Sequence, residues 1–284
     1  MRISIARLLF VFLTLQTLSQ FAPAKDLGWQ PQKTWLFVVG VLSWKHSEMF
    51  GSFPVKNRRD NIVVDFFKES GIPGSQIVYL QDKQATQQRI DADFTEQLKK
   101  LRPDDLLIVY YAGHGTKSED GNDVFLASYD AGDDDVEGWS VNSIPGKINA
   151  SKCSRVLWLI DCCYSGQAGL AITKQSKGPA YAAVTSSAAS ESSTEHWTFT
   201  EALLDALRGV SYVDLNHDGA VTLSEFAVHV GADMNAAEEQ RSTFAHTKGF
   251  DAEMVLAQAK PLVNPRIGER AKARDSDGDW YACR

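Results

Sequence analysis

Cysteine is scarce in this chain, with four among 284 residues. They are poorly placed for a disulfide framework, because Cys162 and Cys163 are adjacent and Cys153 lies just before the same apolar run. That placement argues against a stapled scaffold and for a reactive thiol. Basic surface is lacking too. Lysine and arginine number 29 against 36 acids, a formal charge of −7, and no basic stretch is interleaved with aromatics. Nucleic acid is therefore excluded as a partner. Long apolar runs are also missing: residues 8–18 are broken by Thr14, Gln16 and Thr17 and fall short of the ~20 residues that span a membrane.

That amino-terminal run has another use. Arg2 and Arg7 precede its apolar body and Ala22-Pro23-Ala24 follows it, the pattern of a cleaved secretory signal over residues 1–24. An uncleaved anchor is the alternative, so contact with a membrane is expected only through targeting. Cleavage would start the mature chain near Lys25, secreted or periplasmic, and losing Arg2 and Arg7 would bring the formal charge to −9.

Beyond the leader, strand and helix signals alternate. Residues 35–41, 76–80, 106–111, 156–160 and 181–185 read as strands, most of them apolar throughout. Residues 59–70, 85–101 and 199–207 carry helical spacing, the first stopping at Gly71 and the second before Pro103. The alternation implies an α/β domain over residues 25–260, its mainly parallel sheet covered by helices on both faces. The segment after the first strand, with Trp44, His46, Met49, Phe50 and Phe53, reads as a lid or binding loop. Residues 167–179 read as a polar, mobile loop, and 253–257 as a last strand. In the tail, 261–284, two short strands flank an Asp-Ser-Asp-Gly turn. This hairpin resembles the opening of Tudor-like or SH3-like barrels and needs a surface or partner to dock on.

Two strand ends carry the chemistry. One reads YYAGHG, with His114 between Gly113 and Gly115, and the other reads DCCYSG, with Cys163 two residues after Asp161. A thiol delivered where a buried strand ends lies at the carboxyl edge of a parallel sheet, where such folds place ligands. Extended chain between Asp161 and Cys163 points both side chains to one face. A carboxylate there suits a cationic substrate group, bidentately if it is arginine.

These motifs resemble those of the caspase and metacaspase superfamily of cysteine peptidases. His114 precedes Cys163 by 49 residues, near the roughly 50 noted for caspases. The Asp and Ser-Gly of DCCYSG favour metacaspases and their bacterial relatives. The resemblance spans roughly residues 34–258 and implies a caspase-like sandwich. It implies Cys163 as nucleophile, His114 as its acid–base partner, and the backbone N–H groups of Gly115 and Cys163 at the oxyanion. It also implies an S1 pocket lined by Asp161 and Asp60, although Arg58 and Arg59 beside Asp60 offer to neutralise it. Cys162 is expected to be packed and inert. By analogy with caspases, 167–178 would be the intersubunit linker, with Lys174 and Lys177 as cleavage points or the loop left whole.

A second ligand pattern lies downstream. Asp214, Asn216, Asp218, Thr222 and Glu225 fall at positions 1, 3, 5, 9 and 12 of an EF-hand loop, with Gly219 at 6 and the Ala220 carbonyl at 7. Such an all-oxygen set points to calcium. On the amino side Gly209 and Ser211 interrupt the incoming helix. The acids of 130–137 read either as a solvated loop or as another cation site. No organic cofactor is called for. The expected activity is cleavage of protein or peptide substrates after arginine or lysine. The other reading is a catalytically silent calcium-binding interaction protein on the same fold. The oligomeric state is left open.

Overall fold

The structure is a computed structural model describing residues 25–175, 177–193 and 196–261, with the backbone of 271–274 and 280–283. The expected leader lies outside the described residues. The chain opens with β1 (Thr34–Gly40), α1 (Asp60–Glu69), β2 (Ile77–Gln81), α2 (Gln87–Leu98) and β3 (Leu106–Ala112). A small sheet follows, made of β4 (Gly115–Lys117), β5 (Val124–Leu126) and β6 (Trp139–Ser140). Next come α3 (Ile144–Asn149), β7 (Arg155–Asp161), α4 (Gln167–Thr173), β8 (Ala180–Thr185) and α5 (Thr198–Leu207). The chain continues through β9 (Ala220–Thr222), α6 (Leu223–Glu238), β10 (Thr243–His246) and β11 (Val255–Gln258). The tail hairpin is β12 (Ala271–Arg274) against β13 (Trp280–Cys283).

The central sheet runs β10-β8-β7-β3-β1-β2, parallel except for β10. Its apolar strands read as continuous rather than alternating because both faces are covered. On one face Phe37, Val39, Val109, Tyr111, Trp158 and Ile160 pack against Ile90 and Phe94 of α2, Ile148 of α3 and Ile172 of α4. On the other, Leu36, Val38, Ile108, Tyr110 and Leu159 meet Val63 and Phe67 of α1, Leu203 and Leu204 of α5, and Phe226 and Val230 of α6. Among the described residues no helix is long and apolar enough to cross a membrane.

Two expectations need correction. Residues 167–173 form α4 rather than a mobile loop, with Ala168, Ala171 and Ile172 buried. The polarity of Gln167 misled, because its amide is drawn in by Asn142 Oδ1 at 3.0 Å. The last strand, expected at 253–257, is present but shifted to Val255–Gln258, and pairs antiparallel with β9. The edge of the central sheet beside β8 is formed by β10, whose short sequence gave no signal.

The register of the central strands fixes the site. Gly40, Ala112 and Asp161 lie side by side across β1, β3 and β7. His114 follows Ala112 by two residues and Cys163 follows Asp161 by two, so both leave neighbouring strands at the same level.

Candidate active site

His114 is held by the segment after β1. Its ring centroid lies 4.5 Å from Trp44, 4.4 Å from Phe53 and 5.8 Å from Phe50. Its Nε2 is 2.8 Å from the Gly51 carbonyl. A carbonyl only accepts, so Nε2 carries the proton and donates, and Nδ1 is the nitrogen left to act as base. The aromatic segment is thus a cradle for the imidazole. It is tied to the body by Phe53 N–H to the Leu42 carbonyl and Lys45 N–H to the Tyr129 carbonyl, 2.8 and 2.9 Å.

Gly115 sits against the turn that carries Cys163. A Cβ there would come 2.2 Å from the Cys163 carbonyl oxygen, closer than any real side chain approaches, so glycine is required. Cys162 is buried, and burial holds its thiol well above the ordinary cysteine range; it packs as expected. Cys163 is partly exposed and accepts Ser193 N–H at 3.0 Å. Tyr164 then adopts φ +59°, a left-handed conformation unusual for a bulky residue. Its N–H donates to the Glu191 carbonyl at 2.8 Å, and Lys117 Nζ lies 4.4 Å from its ring centroid. Buried Ser165 and Ser187 exchange N–H to Oγ hydrogen bonds of 3.2 and 3.1 Å. The strained turn is therefore fastened on both sides.

His114, Cys163 and Asp161 line one open cleft, about 110 Å³ in volume, together with Leu42, Phe53, His196 and Trp197. Thr200 Oγ1 donates to Asp161 Oδ2 at 2.7 Å. Thr200 has one proton, so Tyr110 donates to it across 2.6 Å. Burial pushes Asp161 up to about 6, with the charge of Glu238 adding to the effect and the Thr200 and Ser186 hydrogen bonds opposing it.

Asp60 is elsewhere, which corrects its expected place in the pocket. It is fully buried, gripped by Arg58 Nε and Nη2 at 2.8 and 2.7 Å and by the Tyr79 hydroxyl at 2.8 Å. Arg58 also reaches Asp82 at 2.7 Å. The charge of Asp60 is spent on that network, and it does not line the cleft. Arg59 pairs with Glu201 instead.

Sequence reasoning missed the buttress on the far side. His196 Nδ1 lies 3.0 Å from Glu238 Oε2, and Ser193 Oγ donates to Gln240 Oε1 at 3.2 Å. Glu238 ends α6, remote in sequence from His196, and no local signal pointed to this wall.

Two of the five acids of 130–137 are committed to contacts within the protein. Asp130 accepts Gln87 N–H at the start of α2, at 2.8 Å. Asp133 receives Lys45 Nζ at 2.6 Å and His46 Nε2 at 2.6 Å, strapping the His114 cradle to this loop. Asp133 first and Glu48 second raise His46 above the ordinary histidine range.

The 214–225 loop turns as its glycine predicts, with His217 at φ +58° and Gly219 at +89°. Thr222 and Glu225 cap α6 reciprocally. Asp214 accepts Asp218 and Gly219 N–H at 3.1 and 3.0 Å, while Glu225 Oε1 accepts Leu215 and Asn216 N–H at 3.0 and 3.2 Å. Among the described residues no three His, Cys, Asp or Glu side chains converge as a metal cluster. The donors fit calcium in kind, and Asp218 is in contact with a cation, the Lys25 ammonium at 2.5 Å. Cys153, Cys162 and Cys163 are free thiols.

A glycine-flanked histidine after one central strand and a cysteine after the next thus bring an imidazole and a thiol to one cleft of an α/β sheet. Residues 61–253 match the caspase domain, and the chain belongs to that family of cysteine peptidases. No match is found among curated proteins. Among solved structures, a protein of Geobacter sulfurreducens is 13% identical with TM-score 0.58, covering 80% of this chain and 100% of that one. Caspase-1 from Spodoptera frugiperda is also 13% identical, with TM-score 0.57 and coverage of 84% and 95%. At that identity the likeness speaks for the fold.

Proposed function

We propose that the chain is a secreted, metacaspase-like cysteine endopeptidase that cleaves after arginine or lysine and binds calcium through the 214–225 loop. The observation that carries this reading is the shared cleft of His114, Cys163 and Asp161. The Cys163 thiol gives its proton to His114 Nδ1, and the thiolate attacks the scissile carbonyl. Gly115 and Cys163 N–H groups receive the oxyanion. As the C–N bond breaks, His114 protonates the leaving amine, leaving an acyl-enzyme. Water, deprotonated by His114, then releases the acid and restores the thiol. Asp161 receives the P1 cation, with Trp197 and Phe53 among the cleft walls. The side-chain oxygens of Asp214, Asn216, Asp218, Thr222 and Glu225 and the Ala220 carbonyl would hold calcium, which would brace the start of α6.

The test is a panel of fluorogenic peptides differing only at P1. Wild type should release fluorophore after arginine and lysine and Cys163→Ala should not. Preference for P1 aspartate would overturn the specificity, and no turnover of any peptide would favour the silent alternative.

A further inference from the structure

The segment ahead of β1 is pinned along β11, the strand that pairs with the second half of the calcium loop. Gly28 N–H donates to the Val255 carbonyl at 2.9 Å and the Trp29 indole to the Leu256 carbonyl at 3.0 Å. Gln258 donates to the Lys25 carbonyl. A Cβ at Gly28 would come 2.2 Å from Met254 Cγ, so the close approach needs glycine. Backbone placed this way delivers Lys25 to the loop, with Nζ on Asp218 Oδ2 and with Glu225 and Glu253 in electrostatic reach. Asp218 stands at loop position 5 and Glu225 at position 12, so the ammonium faces two of the carboxylates calcium would need.

We propose that Lys25 is a tethered competitor for the cation of the 214–225 loop, which calcium must displace from Asp218 to bind. The inference rests on the calcium reading above and adds its regulation. Calcium takes several oxygen ligands at once. An ammonium on Asp218 both occupies an oxygen and repels the incoming ion. The carbonyl and indole ties keep the lysine close after displacement, so it competes at a high local concentration.

The experiment is calorimetric titration of calcium chloride into the full chain at fixed ionic strength. It compares wild type, Lys25→Ala, Lys25→Arg and Lys33→Ala. Lys33 pairs with Asp104 and controls for net charge alone. Lys25→Ala should lower the calcium dissociation constant roughly threefold or more, while Lys25→Arg and Lys33→Ala stay near wild type. Equal constants for Lys25→Ala and wild type would overturn the competition and leave the site standing. Equal gains in Lys25→Ala and Lys33→Ala would reduce the effect to net charge and overturn it as well. Absence of calcium binding in all four chains would instead remove the site, and the competitor with it.

Discussion

Asp161 offers the sharpest pH test, because its carboxyl form is favoured up to about 6 where a free aspartate titrates near 3.8. Keeping it ionised at neutral pH costs about 3 kcal/mol relative to a free side chain. For stability, the protonated form helps the fold fully below 3.8, and that contribution is lost as pH rises through about 6. For activity the sign is opposite, since a P1 guanidinium, charged at all working pH values, binds the ionised form. Between pH 7 and pH 5 the ionised fraction falls from roughly nine-tenths to one-tenth. The assay is kcat/KM for paired peptides with P1 arginine or its neutral isostere citrulline, so that titration of the thiol and imidazole cancels in the ratio. The Arg-to-citrulline ratio should fall about tenfold over that interval. Asp161→Asn should remove the pH dependence and lower the ratio at pH 7 by roughly tenfold to more than a hundredfold, the worth of a charge-assisted pair. A ratio that stays flat in wild type, or the same slope in Asp161→Asn, would refute the reasoning.

Millimolar calcium should raise the melting temperature of wild type, and Glu225→Gln should lose most of that shift; an unshifted wild type would count against the loop. The His46–Asp133 strap should stabilise at acidic pH, where His46 is charged, and fade as pH rises through its elevated titration point. Asp133→Asn should therefore flatten the melting-temperature profile between pH 6 and 8, and an unaltered profile would show that the strap does not matter. Residues 167–173 are helical and packed, leaving only a short connection before β8, too little to enter a protease cleft as extended chain. Purified wild type should thus remain one band on a denaturing gel, whereas fragments ending at Lys174 or Lys177, absent from Cys163→Ala, would show that α4 unravels.

Much of the frame could be read from periodicity alone. Apolar runs such as 106–111 and 156–160 are long, uninterrupted and closed by glycine or acid, so strand identity and the placing of His114 and Cys163 at strand ends followed directly. What periodicity could not supply was partner choice. Asp60 has the same composition around it whether it faces a pocket or Arg58, and only the packed geometry commits it to Arg58 and Tyr79. The cleft wall built by His196 and Glu238 joins residues 42 positions apart, and no local signal links them. Polarity misled at α4 because Gln167 and Thr173 satisfy themselves by hydrogen bonds to Asn142 and to the helix's own carbonyls. The edge strand β10 is too short to announce itself and exists because β8 offers it a ladder.

The central claim is that Cys163, not its neighbour Cys162, is the attacking thiol, and adjacent cysteines make covalent mapping the most direct measurement. The protein is incubated with a biotinylated acyloxymethyl ketone bearing arginine at P1, digested, and the modified residue located by mass spectrometry. The account predicts label on Cys163, lost in Cys163→Ala and in His114→Ala and retained in Cys162→Ala. Label on Cys162, or labelling that survives Cys163→Ala, would contradict it.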